Sequence, residues 1–335
     1  MHRVVLAFLA GLFAIQDWVR RLLRIQYVVP TEPPLLPGEN AAVDGRWGYL
    51  PSRHSDRLFY RYWLPADVQA QKATLIAIHG VGAHGWHFWV LGKRLAAQGY
   101  GTYALDLRGH GHSEGPRGDL SKIDLVVDGI IDLARFLARG CPERPVVVLG
   151  ESFGANMVML AAARHDPSIS AVILSGTPLE PTEEATGGQL LATLKEYGQY
   201  VPYIFINSQA RVVDIAGREE RVSRDPEAVR RSKNDPLRNN KLSVRTFAET
   251  YRVIKEVYDT AQQVRVSALL LQGGHDLVTR PEAVYHLRDA LGTEDVEVAI
   301  FPDAYHGLFF DPDTPKVMET IVDWLDRKVS RLRKQ

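Results

Sequence analysis

A serine between two glycines, in Gly150-Glu151-Ser152-Phe153-Gly154, is the first candidate for chemistry. The residues before it, Val146 to Leu149, are all apolar, and a helical pattern begins at about Ala155. In this strand-turn-helix context a G-x-S-x-G serine occupies a sharp turn that exposes its hydroxyl as a nucleophile. The pattern predicts that Ser152 is a nucleophile, and a structural Gly-Ser turn is the alternative.

A serine hydroxyl needs a histidine as base, and a carboxylate must orient that histidine. In the chain order that accompanies this motif, the acid and then the histidine follow the serine. Four of the eleven histidines meet this condition: His165, His275, His286 and His306. His165 and His286 lie within helical patterns, whereas His275 and His306 each follow an apolar run typical of a buried strand.

Asp276 and His306 follow two successive strands of this kind, with the acid first. Asp303 is the competing acid, three residues before His306, but its loop would have to fold back sharply to reach the imidazole. We therefore expect Asp276 to hold the tautomer of His306 and to stabilise its protonated form. His275 is interpreted as a neighbour of the acid.

Two backbone N–H groups are needed to stabilise the oxyanion of such a reaction. The N–H of Phe153, at the start of a helix, is the first candidate. Ile78-His79-Gly80-Val81-Gly82 follows another apolar run, and its glycines allow close approach, so the Val81 N–H is the second. His79 precedes the serine and is expected to stabilise this loop, lying with Gly80 beside the substrate.

The segment from Asp106 to Ser113 contains two histidines, His110 and His112, that alternate with glycines. A dinuclear zinc site of that type needs an acid and a further histidine directly afterwards, and Ser113-Glu114-Gly115 follows instead. We interpret the segment as a turn at a strand end. The predicted chemistry needs no metal or cofactor.

The elements that must position these residues alternate between apolar runs and helical stretches, which predicts a mostly parallel sheet with helices on both faces. The predicted buried strands are Ala73 to Ile78, Tyr100 to Leu107, Pro145 to Leu149, Ile169 to Leu174, Ala268 to Leu271 and Val296 to Phe301. Arg57 to Leu64 alternates apolar and polar residues as an edge strand does. The predicted helices are Trp86 to Ala97, Lys122 to Ala138, Ala155 to His165 and Pro281 to Leu291.

Residues 179–262 interrupt this alternation and are predicted to form a helical cap, because they contain no run typical of a buried strand. A cap inserted here lies over the strand ends, where open α/β sheets bind ligands. Its apolar residues are expected to contact the substrate: Leu190, Leu194, Tyr197 and Ile204. The predicted core comprises residues 36–178 and 263–335, preceded by an N-terminal helix and linker over 1–35.

Residues 4–25 differ from the rest of the chain. Val4 to Ile15 is an apolar run of about 12 residues, short of the roughly 20 that span a bilayer. Trp18, Leu22 and Ile25 then recur at helical spacing opposite several arginines, which favours a helix in a membrane interface. The alternatives are a helix on the protein's own surface, an apolar entrance flap and an uncleaved signal-like anchor. The expected location is the cytoplasm or the cytoplasmic face of a membrane.

The composition narrows the possible partners. Forty basic and 40 acidic residues cancel, so the chain lacks the positive charge that binds nucleic acid. Its single cysteine, Cys141, cannot form an intramolecular disulfide, so the fold does not depend on an oxidising compartment. At 335 residues the chain can bury a sizeable core. A small-molecule partner is therefore favoured over nucleic acid.

From about residue 45 to its end, the chain resembles the monoacylglycerol lipase and lysophospholipase branch of the α/β-hydrolases. The motifs that carry the resemblance are His79-Gly80-Val81-Gly82 with His84, Gly109 to Gly118, Gly150 to Gly154, and the cap stretches Ser223-Arg224-Asp225-Pro226 and Asn234-Asp235-Pro236-Leu237. The resemblance implies the α/β-hydrolase fold, a triad of Ser152, Asp276 and His306, and oxyanion donors at Val81 and Phe153. The branch usually has Met and two glycines after the serine. Phe153, Gly154 and Ala155 replace them here, and the bulkier Phe153 is expected to alter the alcohol side of the pocket.

The function expected from these residues is hydrolysis of carboxylic esters of a lipid-like substrate, of the monoacylglycerol or lysophospholipid type, through an acyl-enzyme on Ser152. A thioesterase, amidase or peptidase on the same fold is the alternative within enzymes. An epoxide hydrolase or dehalogenase would carry Asp in place of Ser152. A non-catalytic binding protein is the alternative of a different class.

Overall fold

The computed structural model describes residues 46–54, 56–120, 122–180, 182, 198 and 200–332. The predicted N-terminal helix over residues 4–25 lies outside the described residues. So do three residues that were predicted to line the cap: Leu190, Leu194 and Tyr197.

An eight-stranded sheet forms the centre of the molecule, with strand order β1-β2-β4-β3-β5-β6-β9-β10. Its strands are β1 (Arg46–Pro51), β2 (Arg57–Trp63), β3 (Thr74–Ile78), β4 (Gly101–Leu105), β5 (Val146–Glu151), β6 (Ala171–Ser175), β9 (Ser267–Gly273) and β10 (Val296–Phe301). Strands β1, β2 and β4 pair antiparallel, and every other pairing is parallel. The predicted mostly parallel sheet of an α/β-hydrolase is thus confirmed.

Helices cover both faces of this sheet and connect its parallel strands. They are α1 (Trp89–Ala97), α2 (Ile123–Gly140), α3 (Phe153–Ala162), α9 (Ala283–Ala290) and α10 (Thr314–Leu332). In β5, Val146 and Val148 pack on the face covered by α2 and α3, whereas Val147 and Leu149 pack on the face covered by α1 and α10. Because both faces are buried, these strands are almost wholly apolar, which is why the sequence revealed them.

The chain reverses its direction across the sheet after β3, since β4 lies on one side of β3 and β5 on the other. Such a switch point leaves a crevice beyond the carboxyl ends of the two strands, where ligands bind in open α/β sheets. Ile78 of β3 is paired with Gly150 of β5. The turns that follow these two strands therefore lie side by side.

The cap range contains both helices and a small sheet. Its described elements are α4 (Val201–Ile206), β7 (Arg211–Asp214), α5 (Glu219–Val222), α6 (Pro226–Asn234), β8 (Lys241–Ser243), α7 (Val244–Lys255) and α8 (Val257–Ala261). The prediction of a purely helical cap is wrong in this respect, because β7 and β8 form an antiparallel pair. With four and three residues, of which Val213 and Leu242 are buried apolar side chains, these strands are too short to produce a recognisable pattern.

Two further predictions differ from the structure. Arg57 to Leu64 was expected to be an edge strand, but β1 pairs along its outer side. The sequence of β1, RWGYLP, contains glycine and ends in proline, and neither residue favours a strand. The predicted helix from Trp86 to Ala97 is divided into a 3-10 turn, Gly85–Phe88, and helix α1.

None of the helices among the described residues is long and apolar enough to cross a bilayer.

Candidate active site

Ser152 occupies the sharp turn between β5 and α3. Its backbone has φ of 52° and ψ of −130°, a conformation that is strained for a residue with a side chain. Two hydrogen bonds hold the turn, from Ser152 N to Ser175 O at 2.8 Å and from Ala155 N to Ser152 O at 2.8 Å. A Cβ atom on Gly154 would lie 2.2 Å from Ile78 O, so this position accepts only glycine. Gly154 is thus explained by close packing of the turn against β3. Gly150 is explained by the start of α3, since a Cβ atom there would lie 2.5 Å from Ala155 Cα.

A continuous chain of hydrogen bonds joins Ser152, His306 and Asp276. His306 Nε2 lies 2.8 Å from Ser152 Oγ, and His306 Nδ1 lies 2.8 Å from Asp276 Oδ2. An imidazole that donates its Nδ1–H to the carboxylate presents Nε2 as the acceptor for the serine proton. Only 3% of Asp276 and 3% of His306 is exposed.

His306 reaches Ser152 from the far end of the sheet, because β10 is separated from β5 by β6 and β9. Gly176, directly after β6, lies beneath the imidazole. A Cβ atom there would be 3.3 Å from His306 Cε1 and 2.9 Å from His306 O, and the residue has φ of +53°. The absence of a side chain at this position leaves room for the histidine to cross.

The Asp276 carboxylate is held by four donors. Its Oδ1 accepts from Val278 N at 2.7 Å and Thr279 N at 3.0 Å, and its Oδ2 accepts from Gln272 Nε2 at 2.8 Å as well as from His306. Burial opposes ionisation, but the charge and hydrogen bond of His306 outweigh it and lower the pKa of Asp276. Asp276 is therefore ionised, as a residue that orients a histidine must be. Gln272 was missed by the sequence analysis, although a polar residue at the end of an apolar strand was a visible signal.

The contact between Asp276 and His306 also sets the basicity of the His306 imidazole. Burial by itself lowers the pKa of the imidazole, whereas the Asp276 carboxylate raises it through charge and hydrogen bond, and Glu151 raises it further. The net pKa lies above the ordinary value for histidine. A raised pKa makes the imidazole a stronger proton acceptor in its neutral form.

The two backbone N–H groups predicted to stabilise the oxyanion belong to Phe153, directly after Ser152, and to Val81, in the turn after β3. The turn after β3 approaches so closely that a Cβ atom on Gly80 would lie 3.6 Å from Ser152 Oγ. Neither the Val81 N–H nor the Phe153 N–H donates a hydrogen bond to another described residue. Both groups are thus available to an oxyanion formed next to Ser152.

His79 and the side chain of Phe153 lie away from the substrate space. His79 Nδ1 lies 2.8 Å from Gly80 O, and its Nε2 accepts from Leu107 N at 3.0 Å, so the fully buried ring holds the turn from below. Burial keeps the pKa of His79 well below its usual value. The Phe153 side chain is buried in the core cluster on the face of the sheet covered by α2 and α3, and it does not line the cavity above Ser152. The expectation that it alters the alcohol side of the pocket is therefore wrong.

Asp303 and His275, the two residues considered near the acid and the histidine, lie apart from the hydrogen-bonded chain. Both are exposed. His275 Nδ1 bonds to Pro302 O at 2.9 Å, and Asp303 acts electrostatically on Arg224 and Lys316.

Glu151 is an acid at the site to which the sequence analysis gave no role. It is 4% exposed, and its Oε1 atom has no hydrogen-bond partner among the described residues. Burial raises the pKa of Glu151 to about 7, although the charge of His306 acts in the opposite direction. The available signal was an acidic residue at the end of an apolar strand.

A cavity of about 570 Å³ opens above Ser152 and His306, between the core and the cap. Its described apolar lining includes Val81, Trp86, Val222, Val229, Phe309 and Phe310. Helix α6 and the residues after it add charged groups, among them Asp235 and Arg238. The side chain of Ile204, on α4, is outside the described part of the cap. The cavity is large enough for a small-molecule ester.

Comparisons with known proteins agree with this geometry. The family described as serine aminopeptidase, S33, matches residues 69–313. The chain is 29% identical over 270 residues to a monoacylglycerol lipase of Mycolicibacterium smegmatis, covering 80% of this chain and 92% of that protein. It is 26% identical over 286 residues to the monoglyceride lipase of Rattus norvegicus, covering 84% and 91%. A soluble variant of Saccharomyces cerevisiae monoglyceride lipase, solved with a substrate analogue, shares the fold at a TM-score of 0.75 and 17% identity, covering 90% and 99%.

The match to the family covers most of the chain, and the relatives are matched over nearly their whole length. The resemblance recognised from the motifs is thereby confirmed. The chain belongs to the serine aminopeptidase S33 family and is a carboxylic ester hydrolase of the α/β-hydrolase fold, in the branch that contains the monoacylglycerol lipases.

Proposed function

We propose that this hydrolase cleaves esters of long-chain acyl groups, of the monoacylglycerol or lysophospholipid type, through an acyl-enzyme on Ser152. The observation that carries the proposal is the chain of two 2.8 Å contacts from Ser152 through His306 to Asp276 at the base of a cavity whose lining combines apolar side chains, such as Val222, Val229 and Phe310, with charged ones. The activities of the related monoacylglycerol lipases support the substrate class.

In the first half of the reaction Ser152 Oγ attacks the ester carbonyl while its proton passes to His306 Nε2. The carbonyl oxygen becomes an oxyanion and accepts hydrogen bonds from the N–H groups of Val81 and Phe153. His306 then donates its proton to the departing alcohol, which leaves the acyl group on Ser152. Asp276 remains ionised and stabilises the imidazolium throughout.

In the second half a water molecule takes the place of the alcohol. His306 accepts its proton as the water oxygen attacks the acyl carbon, and the same two N–H groups stabilise the second oxyanion. The proton returns to Ser152 Oγ as the carboxylic acid departs. No metal or cofactor enters these steps.

A preference for long acyl chains follows from the apolar lining, because burial of each methylene is worth about 0.8 kcal/mol. The cap residues Leu190, Leu194, Tyr197 and Ile204 extend this proposal on the basis of the sequence. The test is a series of p-nitrophenyl esters from acetate to dodecanoate, together with monoacylglycerols and lysophospholipids. We expect kcat/KM to rise with chain length.

Ser152→Ala is the matched control for this series, because it removes one hydroxyl and leaves the turn intact. A fluorophosphonate probe should label the wild type at Ser152 and leave the variant unlabelled. Retention of substantial activity by Ser152→Ala would overturn the mechanism. Faster hydrolysis of thioesters, amides or peptides than of any ester would replace the proposed substrate class.

Contact of residues 4–25 with a membrane is part of the proposal and rests on the sequence alone. Trp18, Leu22 and Ile25 would enter the acyl region, with the arginines at anionic headgroups. Deleting residues 1–30 should then lower sedimentation with anionic liposomes and turnover of vesicle-borne ester, while hydrolysis of p-nitrophenyl butyrate stays unchanged. Equal liposome binding by both proteins would remove the membrane contact.

A further inference from the structure

Residues 235–239 of the loop between α6 and β8, here called the cap loop, lie against the turn after β3, residues 80–85. Two hydrogen bonds join them. Asn239 N donates to Gly82 O at 2.8 Å, and His84 Nε2 lies 2.7 Å from Asp235 Oδ2. The turn that carries the Val81 N–H is therefore bonded to the cap at two points.

These contacts are buried, so water competes little with them. His84 is 1% exposed and Asn239 1% exposed. Asn239 also bonds through its side chain, whose Nδ2 donates to Gly109 O at 3.0 Å, and Arg117 Nη2 donates to Leu237 O at 2.7 Å. The cap loop is thus bonded to the core at two further points, Leu237 and Asn239.

The middle of the turn depends on the cap for its shape. Its start is held by His79, and near its end Gly85 N donates to Asp106 Oδ1 at 2.6 Å, both contacts within the core. Gly82, between them, has φ of +81°, and a Cβ atom there would lie 3.0 Å from Asn239 O and 2.7 Å from the cap residue Ile215. The cap therefore packs directly on the peptide group that follows Val81.

Asp235 contributes a charge to this contact. Burial opposes its ionisation, but the hydrogen bond and charge of His84 and the backbone N–H of Leu237 hold the pKa of Asp235 at about 2. A hydrogen bond that involves an ionised carboxylate is roughly twice as strong as a neutral one.

We propose that Asp235 and Asn239 are positioning residues, which hold the Gly80–Gly82 turn so that the Val81 N–H faces the oxyanion. The inference rests on the proposed acyl-enzyme mechanism. It predicts that the cap contributes to the chemical step itself, even for an ester too short to reach the cap's apolar surface.

The test compares Asp235→Ala and Asn239→Ala with the wild type on p-nitrophenyl butyrate and p-nitrophenyl dodecanoate. Asp235→Ala removes the partner of His84. Asn239→Ala keeps the backbone bond to Gly82 O and removes the side-chain bond to Gly109 O, so it displaces the turn by loosening the cap loop. Complete removal of an oxyanion donor reduces kcat about 100- to 1000-fold, so a displaced donor should reduce it about 10- to 100-fold on both esters. KM should change little. Asp235→Asn keeps a hydrogen-bond acceptor for His84 and should recover most of kcat.

An inhibitor that mimics the oxyanion separates this role from substrate binding. Butaneboronic acid forms a tetrahedral adduct with the serine, so its inhibition constant should rise by the factor by which kcat/KM falls. Asn240→Ala is the matched control, because Asn240 is exposed and its side chain contacts Arg238 at the surface. That variant should behave as the wild type does.

Three results would overturn the positioning role. They are an unchanged kcat in both alanine variants, a raised KM for dodecanoate alone, or unchanged boronate inhibition. The melting temperature shows whether Asp235→Ala folds. If it does not, the kcat values and boronate inhibition of Asn239→Ala and Asp235→Asn test the positioning role instead. Failure of the proposed function is distinct, since it would appear as ester hydrolysis that persists in the Ser152→Ala variant.

Discussion

The candidate triad lies at the ends of parallel strands of the central sheet. The cap above it contains, beside the 12-residue helix α7, short elements joined in part by polar side chains. Ser152 directly follows the six-residue strand β5, and Asp276 lies close behind the seven-residue strand β9. Both strands are buried on both faces. In the cap the strands have four and three residues, and helix α5 has four. The triad is positioned by the sheet. Among its described residues the cap has only a small apolar cluster, of Val213, Ile215, Leu242 and Val244, and depends more on individual hydrogen bonds and ion pairs.

This difference indicates which part of the site can change without loss of the fold. Apolar burial in the sheet is spread over many side chains, so the geometry of the triad survives most single substitutions at the surface. A cap held by a few buried polar contacts loses more when one partner is removed, because the other partner stays buried and unsatisfied. Three experiments can break or sharpen this contrast.

The largest effect is expected at the acid of the triad. Asp276→Asn should lower kcat about 10⁴-fold while leaving the melting temperature nearly unchanged, because the amide no longer holds the required tautomer of His306. Steady-state kinetics on p-nitrophenyl butyrate measure the loss.

Asp303→Asn is the control for this experiment, since Asp303 is exposed and lies outside the hydrogen-bonded chain. It should leave kcat nearly unchanged. The reverse ranking of the two variants would mean that the acid has been assigned to the wrong residue.

A smaller effect, on stability, is expected at the base of the cap. Arg245 on α7 and Asp119 in the core form a buried ion pair, each side chain 1% exposed, and Arg245 Nε lies 2.6 Å from Asp119 Oδ1. Arg245→Met leaves the Asp119 carboxylate buried without its ion-pair partner. The loss should reduce the free energy of unfolding by about 3–5 kcal/mol. Denaturant unfolding measures it.

Arg230→Met is the matched control, because the pair that Arg230 forms with Glu227 on α6 is exposed. Arg230→Met should have nearly the same denaturation midpoint as the wild type. Equal midpoint shifts for the two variants would contradict the idea that buried polar contacts hold the cap.

The smallest effect concerns Glu151, within the sheet. Its folded-state pKa of about 7 exceeds the ordinary 4.5, so the stability it contributes is complete below pH 4.5 and is lost as the pH rises through 7. Glu151→Gln has no charge to bury and should therefore be more stable than the wild type at pH 8, by about 3 kcal/mol at most. The difference should vanish near pH 4.5, which urea unfolding at both pH values would reveal.

The same variant should alter the pH profile of activity. Among the described groups, the charges of Asp276 and Glu151 raise the pKa of His306. The charge of His306 in turn lowers the pKa of Glu151. Removal of the Glu151 charge should shift the acid limb of kcat/KM to lower pH. An unmoved acid limb, with equal stability at pH 8, would show that Glu151 is neutral throughout.

The central strands of the sheet could be predicted from the sequence because they are buried on both faces and are therefore almost wholly apolar. The predicted runs around Ile76, Val148 and Ile173 agree with their strands to within two residues at each end, and Val296 to Phe301, which is only partly buried, matches β10 at both ends. The motif around Ser152 and the order of Asp276 and His306 follow from the chemistry of serine hydrolysis, and the structure brings these three side chains into contact.

The contacts that cross between distant segments could not be predicted. In the sequence, Glu151 and Gln272 are ordinary polar residues. Only the fold shows that Glu151 is buried with no partner for Oε1 among the described residues, and that Gln272 donates a hydrogen bond to Asp276. The pairing of His84 with Asp235 joins residues 151 positions apart in the chain, and no periodic pattern encodes such a distance. Strands β7 and β8 were too short to be detected.

The hydrogen bond from Ser152 N to Ser175 O continues the ladder between β5 and β6 beyond its last paired residues. Amide hydrogens in a central ladder exchange with solvent only when the whole domain opens, whereas those of a two-stranded sheet such as β7 and β8 exchange through local opening. The amide of the nucleophile should therefore be among the slowest to take up deuterium, and that of Val213 much faster. Fluctuations that open the cap to admit a substrate can thus occur many times while the nucleophile keeps its place.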